Sequence, residues 1–321
     1  MAHGIALIGL GIMGRRMIGR LTQHGGFRIT ALWDPSADAC AAAAREAPGA
    51  EIAAGPAAIA ARADTACIYI ASPPASHPAL CHQAFDAGKA VFCEKPLTHD
   101  LAAGEALAAR VARENRPAAV NFSFASSASF QAIAAAAQGG DLGTVRRIEI
   151  AASFAKWPRD WQQAGPWLSE RVEGGFAREV LSHFVFATQR LTGRLRLDTG
   201  RVVYPADGRT AETALAATLA GNGIEVAIDA AIRGDVSDTN LWTVAGDRGA
   251  IRMRDWYALE RRDGTGAWHP AMPGGVEDLR AQAGQRQLDQ LAALVEGRPQ
   301  TLASFAEALD VQRTIEAMLA A

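Results

Sequence analysis

The chain has 321 residues, of which 49% are hydrophobic and 21% charged, and its formal net charge is −2 at pH 7. This length allows two domains of ordinary size, and the near-neutral charge argues against a nucleic-acid partner. No run approaches the roughly 18 apolar residues that a membrane span needs, and no signal-peptide pattern opens the chain. We therefore expect a cytoplasmic protein without membrane contact.

The first 120 residues alternate short apolar strands with alanine-rich helical segments. The predicted strands cover 4–11, 27–34, 65–72, 90–96 and 117–123. The predicted helices cover 13–24 and 36–47, and two more begin near Pro74 and Asp100. This alternation predicts an α/β fold with a doubly wound parallel sheet.

Four cysteines lie in the same part of the chain, without a C-x-x-C pair or a spacing typical of zinc ligands. They are Cys40, Cys67, Cys81 and Cys93. We expect reduced thiols and no metal site.

The pattern changes after residue 120. A helix is predicted over 126–138, a strand over 145–154 and a further helix over 175–192. Strand follows strand between 199 and 262, with turns such as GNG and GDRG between several of them, which is typical of an antiparallel sheet. Two helices, over 277–296 and 303–319, close the chain. Residues 121–321 are therefore predicted as a second domain, whose last helix could pack back on the first.

A glycine-rich turn follows the first strand and opens the first helix. It reads G-x-G-x-x-G, and its predicted cofactor contacts are Gly9, Gly11, Ile12, Met13 and Gly14. The first glycine permits the turn, the second lets main-chain N–H groups approach a pyrophosphate, and the third lets helix pack on strand. In this context the motif predicts a dinucleotide-binding Rossmann domain over residues 1–120, although a bare tight turn would also use glycine.

Asp34 ends the second predicted strand, twenty residues after Gly14. A carboxylate there would bind the adenosine ribose hydroxyls and repel a 2′-phosphate, which favours NAD over NADP. The alternative for Asp34 is a helix cap or turn residue before Pro35. Arg15 and Arg16 lie close enough in sequence to reach a 2′-phosphate, but a solvated helix face explains them as well.

Two further loops follow strand ends, where ligands bind in open α/β sheets. The predicted cofactor contacts in them are Ser72, Pro73, His77, Glu94 and Lys95. His77 could equally be a capping or packing residue. Lys95 is the predicted acid or base, because a lysine at the mouth of a nucleotide site can exchange a proton when it is partly desolvated.

The segment 174–183 carries the other predicted catalytic side chains, Glu179 and His183. On a helix these residues are four apart and share one face, which could direct a carboxylate and an imidazole at the nicotinamide. An ordinary helix with an ion pair at this spacing is the simpler alternative.

Together these motifs resemble the glucose–fructose oxidoreductase/inositol dehydrogenase (Gfo/Idh/MocA) family. GLGIMG at 9–14, SPPASH at 72–77, EKPLT at 94–98 and GGxxxExxxH at 174–183 carry the resemblance. It implies a Rossmann domain plus an α/β domain with an open, mostly antiparallel sheet. It also implies hydride transfer between nicotinamide and a sugar, polyol or related carbonyl compound, with the family's lysine at Lys95 and its histidine at His183.

Two departures from the family pattern bear on the substrate. Glu179 stands where the family usually has Asp, and the stretch 121–127 lacks the arginine that relatives often place there. We therefore expect a neutral, ring-shaped substrate, with predicted contacts at Asn121, Trp157, Trp161 and Trp167. The tryptophans could instead pack between domains or subunits, and Arg159 or Arg178 could still bind an anion.

Two other functions and an assembly are compatible with the sequence. An imine reductase would need a proton donor of similar placement, and a nucleotide or sugar sensor could use the same fold without catalysis. An open sheet would expose Ile224, Val226, Ile228, Leu241 and Val244. We therefore predict a homodimer or homotetramer packed through that sheet.

Overall fold

The computed structural model describes residues 2–163, 165–234 and 236–321, which form two compact units. The first unit is Met1–Phe122 with Gly284–Leu309, and the second is Ser123–Ala283 with Asp310–Ala321. The division thus differs from a single cut after residue 120, because 284–309 groups with the first part of the chain.

The first unit is built on a parallel sheet, in which the described residues form six strands in the order β3-β2-β1-β4-β5-β6. The strands are β1 (His3–Ile8), β2 (Phe27–Trp33), β3 (Glu51–Ile52), β4 (Cys67–Ile70), β5 (Ala90–Cys93) and β6 (Ala118–Val120). The helices between them are α1 (Ile12–Gln23), α2 (Ala37–Glu46), α3 (Pro56–Ala60), α4 (His77–Asp86) and α5 (Leu101–Glu114). The predicted doubly wound sheet is confirmed.

The central strands are apolar on both faces, as parallel strands covered by helices must be. Every residue of β4 and β5 is buried. Helix α1 packs Met17 and Leu21 into the same core, and Leu288 and Leu291 from the C-terminal part of the chain join it. All four cysteines are free and buried.

The second unit contains a mixed sheet, in which the described residues form eight strands in the order β14-β13-β12-β11-β7-β10-β9-β8. The strands are β7 (Val145–Phe154), β8 (Arg196–Val203), β9 (Ala214–Gly221), β10 (Ile224–Ile232), β11 (Thr239–Gly246), β12 (Ala250–Arg254), β13 (Ala258–Arg262) and β14 (Trp268–Pro270). The remaining helices of the chain are α6 (Ala128–Gln138), α7 (Ser182–Thr192), α8 (Val276–Val295) and α9 (Phe305–Leu319). Strands β7 and β10 are parallel and the other neighbours antiparallel, so the mostly antiparallel sheet is also confirmed.

The apolar residues expected on the open face of this sheet lie mainly on its buried face, so that expectation was wrong. Val226 and Val244 flank Ile148 in register, and both are fully buried within one chain. Ile228 is 3% exposed, while Ile224 and Leu241 are half-buried. Side chains alternate between the two faces of a strand, so residues of opposite parity, such as the ion-paired Arg147 and Glu149, occupy the other face.

Local sequence signals explain most element boundaries. Ser36 and Asp100 accept main-chain N–H bonds as N-caps of α2 and α5, and Asn222-Gly223 adopts positive φ (+49° and +77°) in the β9–β10 turn. The predicted helix over 175–192 differs in its first turn, because Ala177–Leu181 is π-helical and only Ser182–Thr192 is α-helical. Among the described residues, no helix has the length and apolar character that a membrane crossing requires.

Candidate active site

The carboxyl edge of the parallel sheet brings the glycine-rich turn against the loop after β4. Gly9 has a φ of +91°, and a Cβ atom there would lie 2.5 Å from the main chain of Ala71 and of Ser72. Only glycine allows this approach. The two predicted cofactor loops are therefore neighbours because their strands, β1 and β4, are paired.

The other two glycines of the motif have different environments. A Cβ on Gly14 would lie 2.1 Å from the Gly9 carbonyl oxygen, so Gly14 is explained by packing within the unit. A Cβ on Gly11 would have nothing within 4 Å, and its φ of −69° is open to any residue. Gly11 thus borders open space at the first turn of α1, next to Ile12 and Met13. That space and the N–H groups of this turn fit a pyrophosphate.

Asp34 lies beside the same turn at the end of β2. Its Oδ2 accepts the Leu10 N–H at 2.8 Å and its Oδ1 accepts the Ser36 N–H at 2.9 Å. Ser36, not Asp34, caps α2, so the capping alternative is excluded. The half-buried carboxylate is held at the turn and keeps lone pairs for ribose hydroxyls. Arg15 pairs with Glu46 on α2, which assigns it a structural contact.

His77 was predicted to contact the cofactor, but its ring is fully buried within the first unit. Its Nε2 lies 2.8 Å from the Ser72 carbonyl oxygen, and its Nδ1 lies 3.1 Å from that of Pro96. Burial lowers the pKa of His77. The imidazole thus lies between the loop after β4 and the loop that carries Lys95, and in its neutral form it donates to one of the two carbonyls. The predicted cofactor contact of His77 stays a prediction.

Asn121 was predicted to contact the substrate, but the structure uses both ends of its amide inside the first unit. Its Nδ2 donates to Glu94 Oε1 at 2.5 Å, and its Oδ1 accepts from Gln287 Nε2 at 2.7 Å. The buried Tyr69 hydroxyl also donates to Glu94, and burial together with this carboxylate raises the pKa of Tyr69. Glu94 is thereby fixed directly before Lys95, whose side chain is half-buried.

The second unit carries Glu179 and His183 on the π-helical turn and the start of α7. The Ala177 N–H in this turn donates to Glu212 Oε1 at 2.7 Å. Gly175 has a φ of +97°, and a Cβ atom there would lie 2.2 Å from Glu212 Oε2. Glycine at 175 therefore lets a carboxylate that sequence reasoning missed approach the start of the helix. A π-helical turn is itself frequent at functional sites.

Glu212 is 1% exposed, and burial raises its pKa to about 7. The positive charge of Arg178 lowers this pKa, and the negative charge of Glu316 raises it. Its Oε2 has no hydrogen-bond partner among the described residues. A carboxyl that titrates near neutrality thus lies under the turn that carries Glu179.

His183 is 8% exposed and packs against aromatic rings. The Phe124 ring is 5.7 Å from the imidazole, centroid to centroid, and the Trp256 ring is 5.3 Å away at an interplanar angle of 84°. Sequence reasoning missed Trp256. The available signal was the Asp-Trp pair at 255–256, without glycine, in a region of consecutive predicted strands.

The predicted substrate tryptophans differ in their surroundings. Trp157 is held by Phe154 and Phe176, and its Nε1 donates to the Leu168 carbonyl oxygen at 2.9 Å. Trp167 is half-buried. Trp161 is 46% exposed, and the Arg159 guanidinium lies 4.8 Å from its ring. Trp157 therefore packs the second unit, whereas Trp161 presents an indole to solvent.

Arg178, one of the two cations that could have bound an anionic substrate, is engaged within the second unit. Its Nε and Nη2 donate to Glu316 at 2.7 and 2.8 Å, and its Nη1 donates to the carbonyls of Arg171 and Gly174. This bidentate, buried pair assigns Arg178 to structure.

Comparisons with known proteins agree on fold and chemistry. A sequence model of an oxidoreductase family with an NAD-binding Rossmann fold matches residues 3–122. An inositol 2-dehydrogenase of Mycolicibacterium gilvum is 24% identical over 277 residues, which cover 85% of this chain and 77% of the relative. A D-apiose dehydrogenase of Paraburkholderia graminis is 28% identical over 269 residues, covering 81% and 70%. The solved myo-inositol dehydrogenase of Corynebacterium glutamicum superposes with a TM-score of 0.79 at 19% identity, covering all of this chain and 96% of the other.

The two glycine environments predict separable effects of substitution. Gly11→Ala adds a methyl group to the open space, so it should weaken NAD⁺ binding about tenfold without loss of stability. Gly14→Ala should lower the free energy of unfolding by about 1–3 kcal/mol, because its methyl group meets main chain. Gly19→Ala, also on α1 and with nothing within 4 Å, is the matched control. Calorimetric titration and urea unfolding measure both quantities. Unchanged NAD⁺ affinity in Gly11→Ala would contradict the assignment.

Glu212 predicts a specific pH dependence of stability. Folding raises its pKa from 4.5 to about 7, so its protonated form favours the folded state. The stability that this group contributes at low pH is lost as pH rises from about 4.5 to 7, by about 3 kcal/mol in total.

Glu212→Gln should therefore exceed the wild type in unfolding free energy at pH 8, and most of the difference should vanish at pH 5. Glu170→Gln is the control, because Glu170 is exposed and forms a β-bridge with Thr210, close to Glu212 in sequence. Urea unfolding at both pH values measures the effect. Parallel pH profiles for wild type and Glu212→Gln would show that folding does not hold this carboxyl neutral.

Proposed function

Because this chain belongs to the Gfo/Idh/MocA family of NAD-binding oxidoreductases, we propose that it is a dehydrogenase of neutral cyclic polyols or sugars. One observation carries the proposal. Lys95 follows β5 at the same sheet edge as the glycine-rich turn after β1, with β4 between these strands. A lysine side chain at that edge, as the neutral amine, suits proton abstraction from a substrate hydroxyl beside bound dinucleotide.

In the proposed reaction, the turn at Gly11 and the carboxylate of Asp34 would hold the pyrophosphate and ribose of NAD⁺, with Ser72 and Pro73 in the neighbouring loop. NAD⁺ so held would supply a hydride acceptor for the C–H bond that the substrate alcohol loses as it becomes a carbonyl. Lys95 or His183 takes the proton from the substrate hydroxyl, and Glu179 orients one of them. Glu94 and His77 hold the loop of Lys95 in place through the buried contacts described above.

Two contacts support a neutral substrate. Arg178 is committed to Glu316 and to main-chain carbonyls, and the Arg159 guanidinium lies over the Trp157 and Trp161 rings at 5.3 and 4.8 Å. The inositol and apiose named for the two relatives are neutral and, in the case of inositol, cyclic. Trp161, with its exposed indole, is the candidate substrate contact among the three tryptophans predicted from sequence.

Two further properties stay proposals. A homodimer or homotetramer through the second sheet would use its other face, where Arg147 pairs with Glu149 and Glu225 and where small residues such as Ala151 also lie. That face is more polar than the sequence indicated, so charge pairing would contribute more to such an interface than apolar burial. A cytosolic location is proposed with it.

The proposed chemistry is tested by a panel of polyols and sugars with NAD⁺, and of cyclic imines with NADH, followed by nicotinamide absorbance. Turnover of cyclic polyols is expected. Lys95→Met and His183→Asn should each lower kcat by roughly 10²–10⁴, and His183→Asn should leave NAD⁺ affinity nearly unchanged. Lys156→Met, at an exposed lysine paired with Asp160, is the control. Imine reduction without polyol oxidation would favour the alternative, and near-wild-type turnover in both variants would move the proton transfer elsewhere.

Asp34 predicts the choice of cofactor. Its carboxylate is held beside the turn by Leu10 and Ser36 N–H groups, so a 2′-phosphate there would face a fixed negative charge. The wild type should bind NADH at least tenfold more tightly than NADPH, and Asp34→Ser should narrow or reverse that ratio. Fluorescence titration of both cofactors measures it, with Asp38→Ser, on the exposed first turn of α2, as the control. Tighter NADPH binding by the wild type would refute the assignment.

A further inference from the structure

The turn between β12 and β13 contains two consecutive non-glycine residues with left-handed backbone. The φ angles are +49° at Asp255 and +75° at Trp256. Glycine or asparagine is the usual occupant of such positions, because a side chain with a Cβ crowds the following carbonyl. A tryptophan is among the bulkiest residues that could stand there.

Neighbouring groups hold this unfavourable turn in place. The Trp256 N–H donates to the side-chain oxygen of Asn240 at 2.9 Å, and the Asp255 N–H donates to the carbonyl oxygen of Asn240 at 3.0 Å. Ser129 Oγ donates to the Tyr257 carbonyl oxygen at 2.5 Å. Strained backbone that its surroundings over-determine in this way is concentrated at functional sites.

The strained turn places the indole of Trp256 against the predicted catalytic histidine. The indole centroid lies 5.3 Å from that of His183, and the rings are nearly perpendicular. Phe184 and Phe124 contact the indole at 5.6 and 5.9 Å. Trp256 is nevertheless only half-buried, so part of its surface is left for another molecule.

We propose that Trp256 is a specificity-determining residue whose indole forms an apolar wall of the substrate site beside His183. This inference rests on the proposed function, which places the imidazole at the reacting hydroxyl. A substrate in that position lies alongside the indole. The ring face of a cyclic polyol offers aligned C–H groups to an aromatic surface, whereas an open chain must first lose rotational freedom to do so. The wall therefore selects ring-shaped substrates over open-chain ones.

The test compares two six-carbon polyols with six hydroxyls each, cyclic myo-inositol and open-chain sorbitol. Trp256→Gly removes the indole and suits the positive φ, but it also removes packing against His183, Phe184 and Phe124, so its melting temperature should fall and is measured with each rate. Its kcat/KM for myo-inositol should fall at least tenfold, while that for sorbitol should change less than threefold. Trp256→Phe should recover part of the preference.

Trp268→Phe is the matched control, since that indole lies over the Arg252 guanidinium at 4.1 Å on the same sheet. It should leave both kcat/KM values unchanged, and calorimetry should give the wild-type NAD⁺ affinity in all variants. A wild type that oxidises no polyol would overturn the proposed function and this inference with it. If the wild type is active but prefers sorbitol, the inference alone is overturned. The same holds if Trp256→Gly keeps the wild-type preference for myo-inositol.

Discussion

The close approach of two main-chain segments at the carboxyl edge of the parallel sheet is the constraint on which the first unit depends. The turn after β1 and the loop after β4 lie so close together that no side chain fits at Gly9 beside Ala71 and Ser72. This contact sets the direction in which α1 begins, and α1 in turn presents Gly11 to open space. The close main-chain contact at Gly9 and the open space at Gly11 together form a site that suits a nucleotide.

Buried polar groups hold Lys95 in place beside that site. Burying an amide, a carboxylate and a phenol is unfavourable unless each is hydrogen-bonded, and Asn121, Glu94 and Tyr69 satisfy one another. His77 lies between the carbonyls of two loops and, as a neutral ring, donates to one of them. The main chain of Lys95, one position from this network, has little freedom to move, which favours the proton transfer proposed for its side chain.

The second unit keeps its unfavourable features close to His183. Glu212 is a buried carboxyl under the π-helical turn, and Trp256 has a backbone conformation that few bulky residues adopt. A buried carboxyl and a left-handed backbone at a tryptophan each cost free energy. Proteins retain local strain and buried charge where binding or catalysis uses them, so their shared position around one helix start supports a functional site there.

The sequence by itself determined the two sheet types, most element boundaries and the glycine motif with Asp34, because hydrophobic period, caps and turn residues act over a few neighbouring positions. The resemblance of its motifs to the Gfo/Idh/MocA family also singled out Lys95, Glu179 and His183. The sequence could not show that Asn121 hydrogen-bonds Glu94, that His77 lies between two loops, or that Val226 faces inward. Nor could it show that Trp256, seventy-three residues after His183, packs on that imidazole. Those relations depend on strand register and on contacts between distant segments, so only the tertiary structure decided them.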